Sequence, residues 1–246
     1  MMIGNKPALH TVLSPALLYQ HELTDAVVVI IDVLRATSTI ATALFNGAKY
    51  IIPVDSVQKC IDMGIQTGAI TAGEREGKVA EGLQHGNSPF EYSSDFISGK
   101  ILVLTTTNGT KLLHAAAVNG ATTIVTGSFP NLSAVCSFVL RQNKNVLLAC
   151  AGWKNRINIE DTLFAGAVID KVKEHFDINC DSSKIAHSLY KEGEADLFSF
   201  IKNKNASHYI RLSGYGLEKD ILYCLTPDTA NVLPLYRDGK LCADLH

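Results

Sequence analysis

Short, continuous apolar runs recur along the first 150 residues, each separated from the next by a longer mixed segment. A run without polar alternation is buried on both faces, which is typical of parallel strands covered by helices. The segments 38–45 and 111–118 are rich in Ala and Leu and end in Asn-Gly, a common helix stop because both residues tolerate positive φ. The pattern predicts an α/β fold with three α/β/α layers built on a mostly parallel sheet. The predicted strands are Val27–Ile31, Ile51–Val54, Ile101–Leu104, Thr123–Thr126 and Val146–Ala149.

An internal repeat accompanies this pattern. A shift of 73 residues aligns Val29–Ile52 with Leu102–Val125 without a gap, and it aligns the Asn-Gly-Ala at 46–48 with the Asn-Gly-Ala at 119–121. We therefore predict two similar βαβ units, at about 26–56 and 99–129. The alternative is that any two βαβ units share such helix stops.

The remainder of the chain has a weaker pattern. Helical spacing is visible over 162–174 and 183–202, and Ile221–Leu225 is predicted to be a late strand. No linker or low-complexity segment interrupts the chain, so we expect a single α/β domain over residues 1–246.

Composition narrows the classes of partner. Hydrophobic residues make up 47% and charged residues 19%, as in a compact globule, and the net charge is −2 without a basic block. Nucleic-acid binding is therefore not expected. No apolar run approaches the ~20 residues of a membrane helix, and the N-terminus lacks a signal-peptide core, so we expect a cytoplasmic protein. The six cysteines form no CxxC pair, which disfavours a zinc or redox site. Homo-oligomerisation stays open.

Polar clusters follow four of the predicted strands. Ligands of open α/β sheets collect at the carboxyl ends of strands, and hydroxyls with free N–H groups at helix starts favour anions. The clusters predict a phosphate or carboxylate ligand; the alternative for each cluster is helix capping. Neither GxxxxGK[ST] nor GxGxxG is present, so a P-loop or dinucleotide site has no support. The candidate substrate-binding residues are Thr37, Ser38, Arg75, Thr106, Thr107, Asn108, Gly109, Thr110, Ser128, Asn131 and Arg156.

Asp32 ends a six-residue apolar run and is the leading catalytic candidate. Such a carboxylate can cap a helix, pair with Arg35, hold Mg²⁺ or attack phosphorus. The second Asp of a DxDxT motif is missing, which favours a metal ligand over a phospho-aspartate. We expect Asp32 to bind Mg²⁺ together with Glu74 and one of Glu160 or Asp161. The alternative for the last two is a helix N-terminal pair stabilised by the dipole.

The segment from Ile70 to Tyr92 is predicted to be an active-site loop, because it combines four glycines with several charges. A solvated surface loop is the alternative. His85 within it is a candidate general acid, or else a surface residue.

An ordered set of short motifs resembles the 2-phosphosulfolactate phosphatase family. The motifs are IDVLRATSTI, GEREG with GNSPFEY, TTTNGT, TGSFPN, CAGW with IEDTLFAGA, and SHYIRLSGYGLEKDILYC. They span nearly the whole chain, from Val29 to Cys224. One departure is visible: where the family tends to have Gly-Phe-Asp, this chain has Gly82 followed by Leu83-Gln84-His85.

The resemblance implies Mg²⁺-dependent hydrolysis of 2-phospho-3-sulfolactate to 3-sulfolactate and phosphate, as in coenzyme M biosynthesis. The departure keeps open another small phosphorylated hydroxy acid, such as phosphoglycolate or phospholactate. A non-catalytic protein that binds a phospho-ligand is the alternative from a different class. No pairing of a His with a carboxylate is expected, so we predict in-line attack by a water oriented by Asp32 or Asp161, with Arg35 stabilising the charge. Direct attack by Asp32 is the alternative.

Overall fold

The computed structural model describes residues 6–244. Within this range no helix has the length and hydrophobicity needed to cross a membrane. The strands are β1 Leu9–Val12, β2 Ala26–Ile31, β3 Tyr50–Val54, β4 Ile70–Arg75, β5 Lys78–Val79, β6 Ile101–Thr105, β7 Thr123–Gly127, β8 Asn145–Cys150, β9 Leu233–Arg237 and β10 Lys240–Asp244. The α-helices are α1 Ala36–Phe45, α2 Val57–Thr67, α3 Ser94–Ile97, α4 Gly109–Val118, α5 Leu132–Gln142, α6 Ile159–Val172, α7 Asp181–Gly193, α8 Leu197–Asn203, α9 Ser207–Ser213 and α10 Glu218–Cys224.

The strands form one sheet in the order β1-β8-β2-β7-β9-β10-β3-β6-β4-β5. Strands β1, β8, β2 and β7 are parallel to one another, as are β3, β6 and β4. The antiparallel hairpin β9–β10 joins these two halves, so the halves run in opposite directions along the sheet. The predicted mostly parallel sheet is confirmed, with a C-terminal hairpin that the apolar pattern did not reveal.

Helices cover both faces of the sheet. On one face, residues such as Val28 of β2 and Leu102 of β6 pack with α1 and α4 in one apolar cluster. On the other face, Val29 packs with α5 and α6, while Ile52 of β3 packs with Cys60 of α2. The fully apolar strands thus bury both faces, and the predicted three-layer α/β/α arrangement is confirmed.

The internal repeat corresponds to matching elements. The bounds of α1 and β3, shifted by 73 residues, coincide with those of α4 and β7. Both helices stop at a glycine of positive φ, +93° at Gly47 and +91° at Gly120. The two units differ from ordinary βαβ units in one respect, because β2 pairs with β7 and β3 with β6. Each unit therefore contributes one strand to each half of the sheet.

Two predicted elements in the C-terminal part are wrong in type or extent. The predicted strand Ile221–Leu225 belongs to helix α10 and its end: Ile221, Cys224 and Leu225 are buried, whereas Leu222 is 54% exposed. This spacing has a helical period, and a short apolar run does not reveal it. The predicted helix 183–202 is divided into α7 and α8, because Asp196 caps a new helix by accepting a hydrogen bond from the Ser199 N–H at 2.9 Å.

The predicted loop from Ile70 to Tyr92 begins as strand β4. Gly73 lies so close to β6 that an added Cβ would be 2.3 Å from the carbonyl oxygen of Thr105. A glycine in this segment therefore marks close strand pairing as well as a loop. Glu74 consequently lies at the carboxyl end of a strand, next to the end of β6.

Candidate active site

A small polar pocket lies where the carboxyl ends of β2, β4 and β6 meet. The sequence predicts one common sheet edge for the polar clusters, but β2 belongs to one half of the sheet and β4 and β6 to the other. Strands twist by roughly 20–25° per step, so opposite formal directions several strands apart still allow two ends to meet. The pocket has a volume of about 20 Å³. Its lining residues are Asp32, Leu34, Arg35, Glu74, Gly77, Asn87, Thr106, Thr107, Asn108, Arg211 and Leu212.

Asp32 is the link between the two halves of the sheet. The Gly109 N–H, at the start of α4, donates to Asp32 Oδ2 at 2.7 Å. A Cβ on Gly109 would stand 2.7 Å from the same oxygen, so the position requires glycine. Thr37 anchors the other side of the turn, because its hydroxyl donates to the Asp32 carbonyl oxygen at 2.9 Å.

Burial dominates the ionisation of Asp32. The side chain is almost fully buried, and loss of solvation raises its pKa to about 6. The imidazole of His208 acts in the opposite direction, the charge of Glu74 raises the pKa further, and the hydrogen bond from Gly109 lowers it. Asp32 is therefore a carboxylate that neutralises readily in the absence of a cation.

Glu74 is held as an anion by the surrounding N–H and O–H groups. It accepts hydrogen bonds from the Gly77 N–H at 2.9 Å, the Thr107 N–H at 3.0 Å and the Thr107 hydroxyl at 2.8 Å. Burial raises the pKa of Glu74, but these hydrogen bonds outweigh burial and leave the pKa below its usual value. The pocket therefore keeps one carboxylate that is charged near neutral pH.

Arg35 forms a buried ion pair with Asp220 of α10. Its second nitrogen donates to the Gly77 carbonyl oxygen at 3.3 Å. The partner lies 185 residues away in sequence, and no local pattern points to it. The pair fixes the guanidinium at the pocket wall and fixes α10 beside it.

Asp161 supports the pocket from behind. It accepts hydrogen bonds from the Val33 N–H at 2.9 Å and the Gly152 N–H at 3.0 Å, and so joins the ends of β2 and β8. Burial and the charges of Glu160 and Asp32 raise its pKa well above the usual value. Asp161 is thus close enough to be influenced by Asp32, although it does not line the pocket.

Glu160 is paired with His208 of α9, and both side chains are buried. The expectation that no His pairs with a carboxylate is therefore wrong. The two residues are 48 positions apart, and the first has a local alternative as a helix N-terminal residue. Within residues 6–244, Glu160 Oε2 and His208 Nε2 have no hydrogen-bond partner.

Arg211 and Asn87 line the pocket and were not predicted. Arg211 lies over the ring of Trp153 at 5.3 Å and acts electrostatically on Glu74. Among the described side chains, Arg211 Nε and Asn87 Oδ1 are buried without a hydrogen-bond partner. His208 and Arg211 are three residues apart on one helix, so the spacing within SHYIRLSG is the available sequence signal.

Several predicted substrate-binding residues are not among the lining residues, namely Thr37, Ser38, Arg75, Gly109, Thr110, Ser128, Asn131 and Arg156. Most of them hold backbone turns. Ser38 donates to the Val33 carbonyl oxygen at 2.8 Å, and Asn131 Oδ1 accepts from the Ser128 N–H at 2.9 Å. Arg75 donates to the carbonyl oxygen of Glu74 at 2.6 Å, and Thr110 pairs with Thr106. These contacts match the capping interpretation, while Arg156 is exposed.

His85 also lies outside the pocket lining. Its ring packs against Phe96 at 4.9 Å, and Nδ1 is 3.7 Å from Glu91 Oε2. These contacts anchor the segment after β5 to α3.

The pocket contains a small set of oxygen donors for the predicted Mg²⁺. In the part of the chain that the structure describes, no three His, Cys, Asp or Glu side chains are grouped so that they could hold a metal ion. Asp32 and Glu74 line the same pocket as the unpartnered Asn87 oxygen. Mg²⁺ prefers oxygen ligands, keeps several waters and needs only one or two carboxylates. This donor set fits Mg²⁺, whereas Glu160 is engaged by His208.

Comparison with known proteins decides the family. The family model described as 2-phosphosulpholactate phosphatase matches residues 12–239. The chain belongs to this family. The family consists of phosphoric monoester hydrolases, which agrees with the resemblance in the motifs.

Relatives in three bacteria are each named "Probable 2-phosphosulfolactate phosphatase". A protein of Caldanaerobacter subterraneus is 39% identical, over 89% of this chain and 90% of its own length. One of Thermotoga petrophila is 41% identical, over 86% and 89%. One of Clostridium acetobutylicum is 35% identical, over 90% and 94%. The similarity thus covers nearly the full length of this chain and of each relative.

Proposed function

We propose that the chain is a Mg²⁺-dependent phosphatase that hydrolyses 2-phospho-3-sulfolactate to 3-sulfolactate and phosphate, a reaction of the coenzyme M biosynthesis type. One observation carries the proposal: in a member of this phosphatase family, Asp32 and Glu74 line the same pocket as Arg35 and Arg211. Carboxylates bind a cation and orient a nucleophilic water, whereas guanidinium groups donate hydrogen bonds to phosphoryl oxygens.

The two arginines have different parts in this proposal. Arg35 is neutralised by Asp220 and is held in place, so it presents a fixed donor. Arg211 belongs to no ion pair recorded among the described residues, and its charge faces Glu74 across the pocket. We assign to Arg211 the main role in stabilising the negative charge on the equatorial phosphoryl oxygens. Arg35 orients the phosphoryl group.

Asp32 and Glu74 would hold Mg²⁺, with the amide oxygen of Asn87 beside them. When bound, the cation neutralises phosphoryl oxygens and makes a water more acidic. Glu74 is suited to this role because it is already ionised near neutral pH, and Asp32 becomes ionised when a cation is nearby.

Asp32 then orients the attacking water and accepts its proton. The water oxygen bonds to phosphorus while the bond from phosphorus to the ester oxygen breaks. The departing ester oxygen takes a proton from solvent and becomes the hydroxyl of 3-sulfolactate, and Asp32 releases its own proton to solvent. Asp161 supports Asp32 by accepting the hydrogen bond from the Val33 N–H next to it, without facing the pocket.

A matched substrate panel tests the proposal. Purified protein should release phosphate from 2-phospho-3-sulfolactate with a higher kcat/KM than from 2-phospholactate or phosphoglycolate. Chelation with EDTA should lower the rate by about 100-fold or more, and added Mg²⁺ should restore it. A preference for phospholactate or phosphoglycolate would favour the second phosphatase assignment. No release from any member in the presence of Mg²⁺ would support a non-catalytic binding protein.

A further inference from the structure

A second, larger groove opens beside the Asp32 pocket and shares two of its residues, Thr107 and Asn108. It has a volume of about 380 Å³, against about 20 Å³ for the pocket. The first turn of α4 forms one wall and carries Lys111, while the turn after β8 forms another and carries Lys154. Neither lysine belongs to the site described above.

The charge of this groove has one sign. Its lining contains Lys111 and Lys154, the amides of Asn108 and Asn155, and no acidic side chain. The Asp32 pocket next to it contains two carboxylates. An anion that carries no metal ion therefore binds more favourably in the groove, where the charged side chains are positive, than in the pocket.

The turn that carries Lys154 is built firmly. Trp153 and Arg156 exchange two backbone hydrogen bonds of 3.0 Å, and Ser14 donates to the Asn155 carbonyl oxygen at 2.7 Å. Lys154 Nζ lies over the Trp153 ring at 4.6 Å. The backbone of this turn is therefore held by hydrogen bonds, and the Lys154 ammonium group contacts the Trp153 ring beside the groove.

The two cavities differ in size, and this difference suggests which part of a substrate each one binds. The pocket is the smaller and more enclosed of the two cavities, so a substrate whose phosphoryl group enters it extends beyond it. The groove begins at Thr107 and Asn108, which also line the pocket. A substituent on the carbon next to the phosphate-bearing one of a three-carbon acid therefore extends past these two residues towards the groove.

Resting on the proposed function, we propose that this groove is the specificity subsite for the second strong anion of the substrate, the sulfonate, and that Lys111 and Lys154 bind it. The phosphoryl group occupies the Asp32 pocket at the same time. The two lysines thereby distinguish a sulfonated phospho-acid from one that carries a neutral methyl group at that position.

The double variant K111Q/K154Q tests this assignment. The ratio of kcat/KM for 2-phospho-3-sulfolactate to that for 2-phospholactate should fall by about 10- to 100-fold, because two charge-assisted contacts to the sulfonate are lost. Most of the change should be in KM. As an independent readout, the inhibition constant of 3-sulfolactate should rise far more than that of inorganic phosphate.

Lys144→Gln is the matched control, since Lys144 is exposed and does not line the groove. The control should keep the wild-type ratio. An equal fall for both substrates in K111Q/K154Q, or an unchanged ratio, would overturn the subsite. Failure of the proposed function is a separate outcome, because the wild-type protein itself would then hydrolyse neither substrate or show no preference for the sulfonated one.

Discussion

Replacing Asp32 with asparagine should lower phosphate release by about 10³-fold while leaving the fold intact. The amide oxygen of Asn can still accept the hydrogen bond from Gly109, so the turn after β2 keeps its geometry. What disappears is the negative charge that binds the cation and takes the proton of the water. Steady-state phosphate release at saturating Mg²⁺ measures the effect.

The same variant should be more stable than the wild type in metal-free buffer above pH 6. The pKa of Asp32 is about 6 in the folded state, against about 3.9 in an unfolded chain. An acid with a raised pKa costs stability as pH rises through this window, so ionised Asp32 destabilises the fold by about 3 kcal/mol at pH 8. The advantage of Asp32→Asn should shrink on acidification and vanish below about pH 4.

Asp25→Asn provides the control, because Asp25 is exposed and directly precedes β2. It should change neither the rate nor the free energy of unfolding by a measurable amount. Turnover close to wild type in Asp32→Asn would contradict the assignment of this carboxylate. If Asp32→Asn is less stable than the wild type at pH 8, this would contradict the claim that ionised Asp32 destabilises the fold.

Removing Arg35 should give the largest loss of stability at the site. In Arg35→Met, Asp220 stays buried without its partner, and breaking such a pair costs about 3–5 kcal/mol. In R35M/D220L both charges are replaced by apolar groups, so most of the stability should return. Because the double variant still lacks the guanidinium, its kcat should remain about 100-fold below wild type.

Lys59→Met is the matched control for the ion pair. Lys59 Nζ and Asp55 Oδ2 are 2.9 Å apart, but both side chains are largely exposed, and such pairs contribute under about 1 kcal/mol. Urea unfolding and phosphate release of the three variants separate the two roles. Recovery of activity together with stability in R35M/D220L would show that Arg35 acts only in folding.

The sequence pattern predicts the central strands well because they are buried on both faces, and such strands are continuous apolar runs. It also points to Asp32, which directly follows a predicted strand, whereas Glu74 is a candidate from a segment predicted to be a loop and lies in β4. Hairpin β9–β10 is missed because its strands contain Pro, Arg and Asp and show no uninterrupted run. The local apolar pattern indicates which residues are buried, but it indicates only indirectly which strands pair with each other.

The limits of prediction at the site follow from sequence distance. Arg35 meets Asp220 and Glu160 meets His208 through tertiary packing that no local motif encodes. Hydroxyl and amide groups at helix starts are ambiguous for a different reason. The same side chain caps a helix or binds an anion, and Asn131 caps, whereas Asn108 faces the pocket.

A crystal structure with Mg²⁺ and orthovanadate, which imitates the five-coordinate phosphorus of the transition state, tests the central claim most directly. We expect vanadate in the pocket, with Mg²⁺ at Asp32 and Glu74 and with Arg211 and the Thr106–Asn108 turn contacting its oxygens. Vanadate bound only in the lysine groove or elsewhere on the protein, with the Asp32 pocket empty, would show that the Asp32 pocket is not the phosphoryl site.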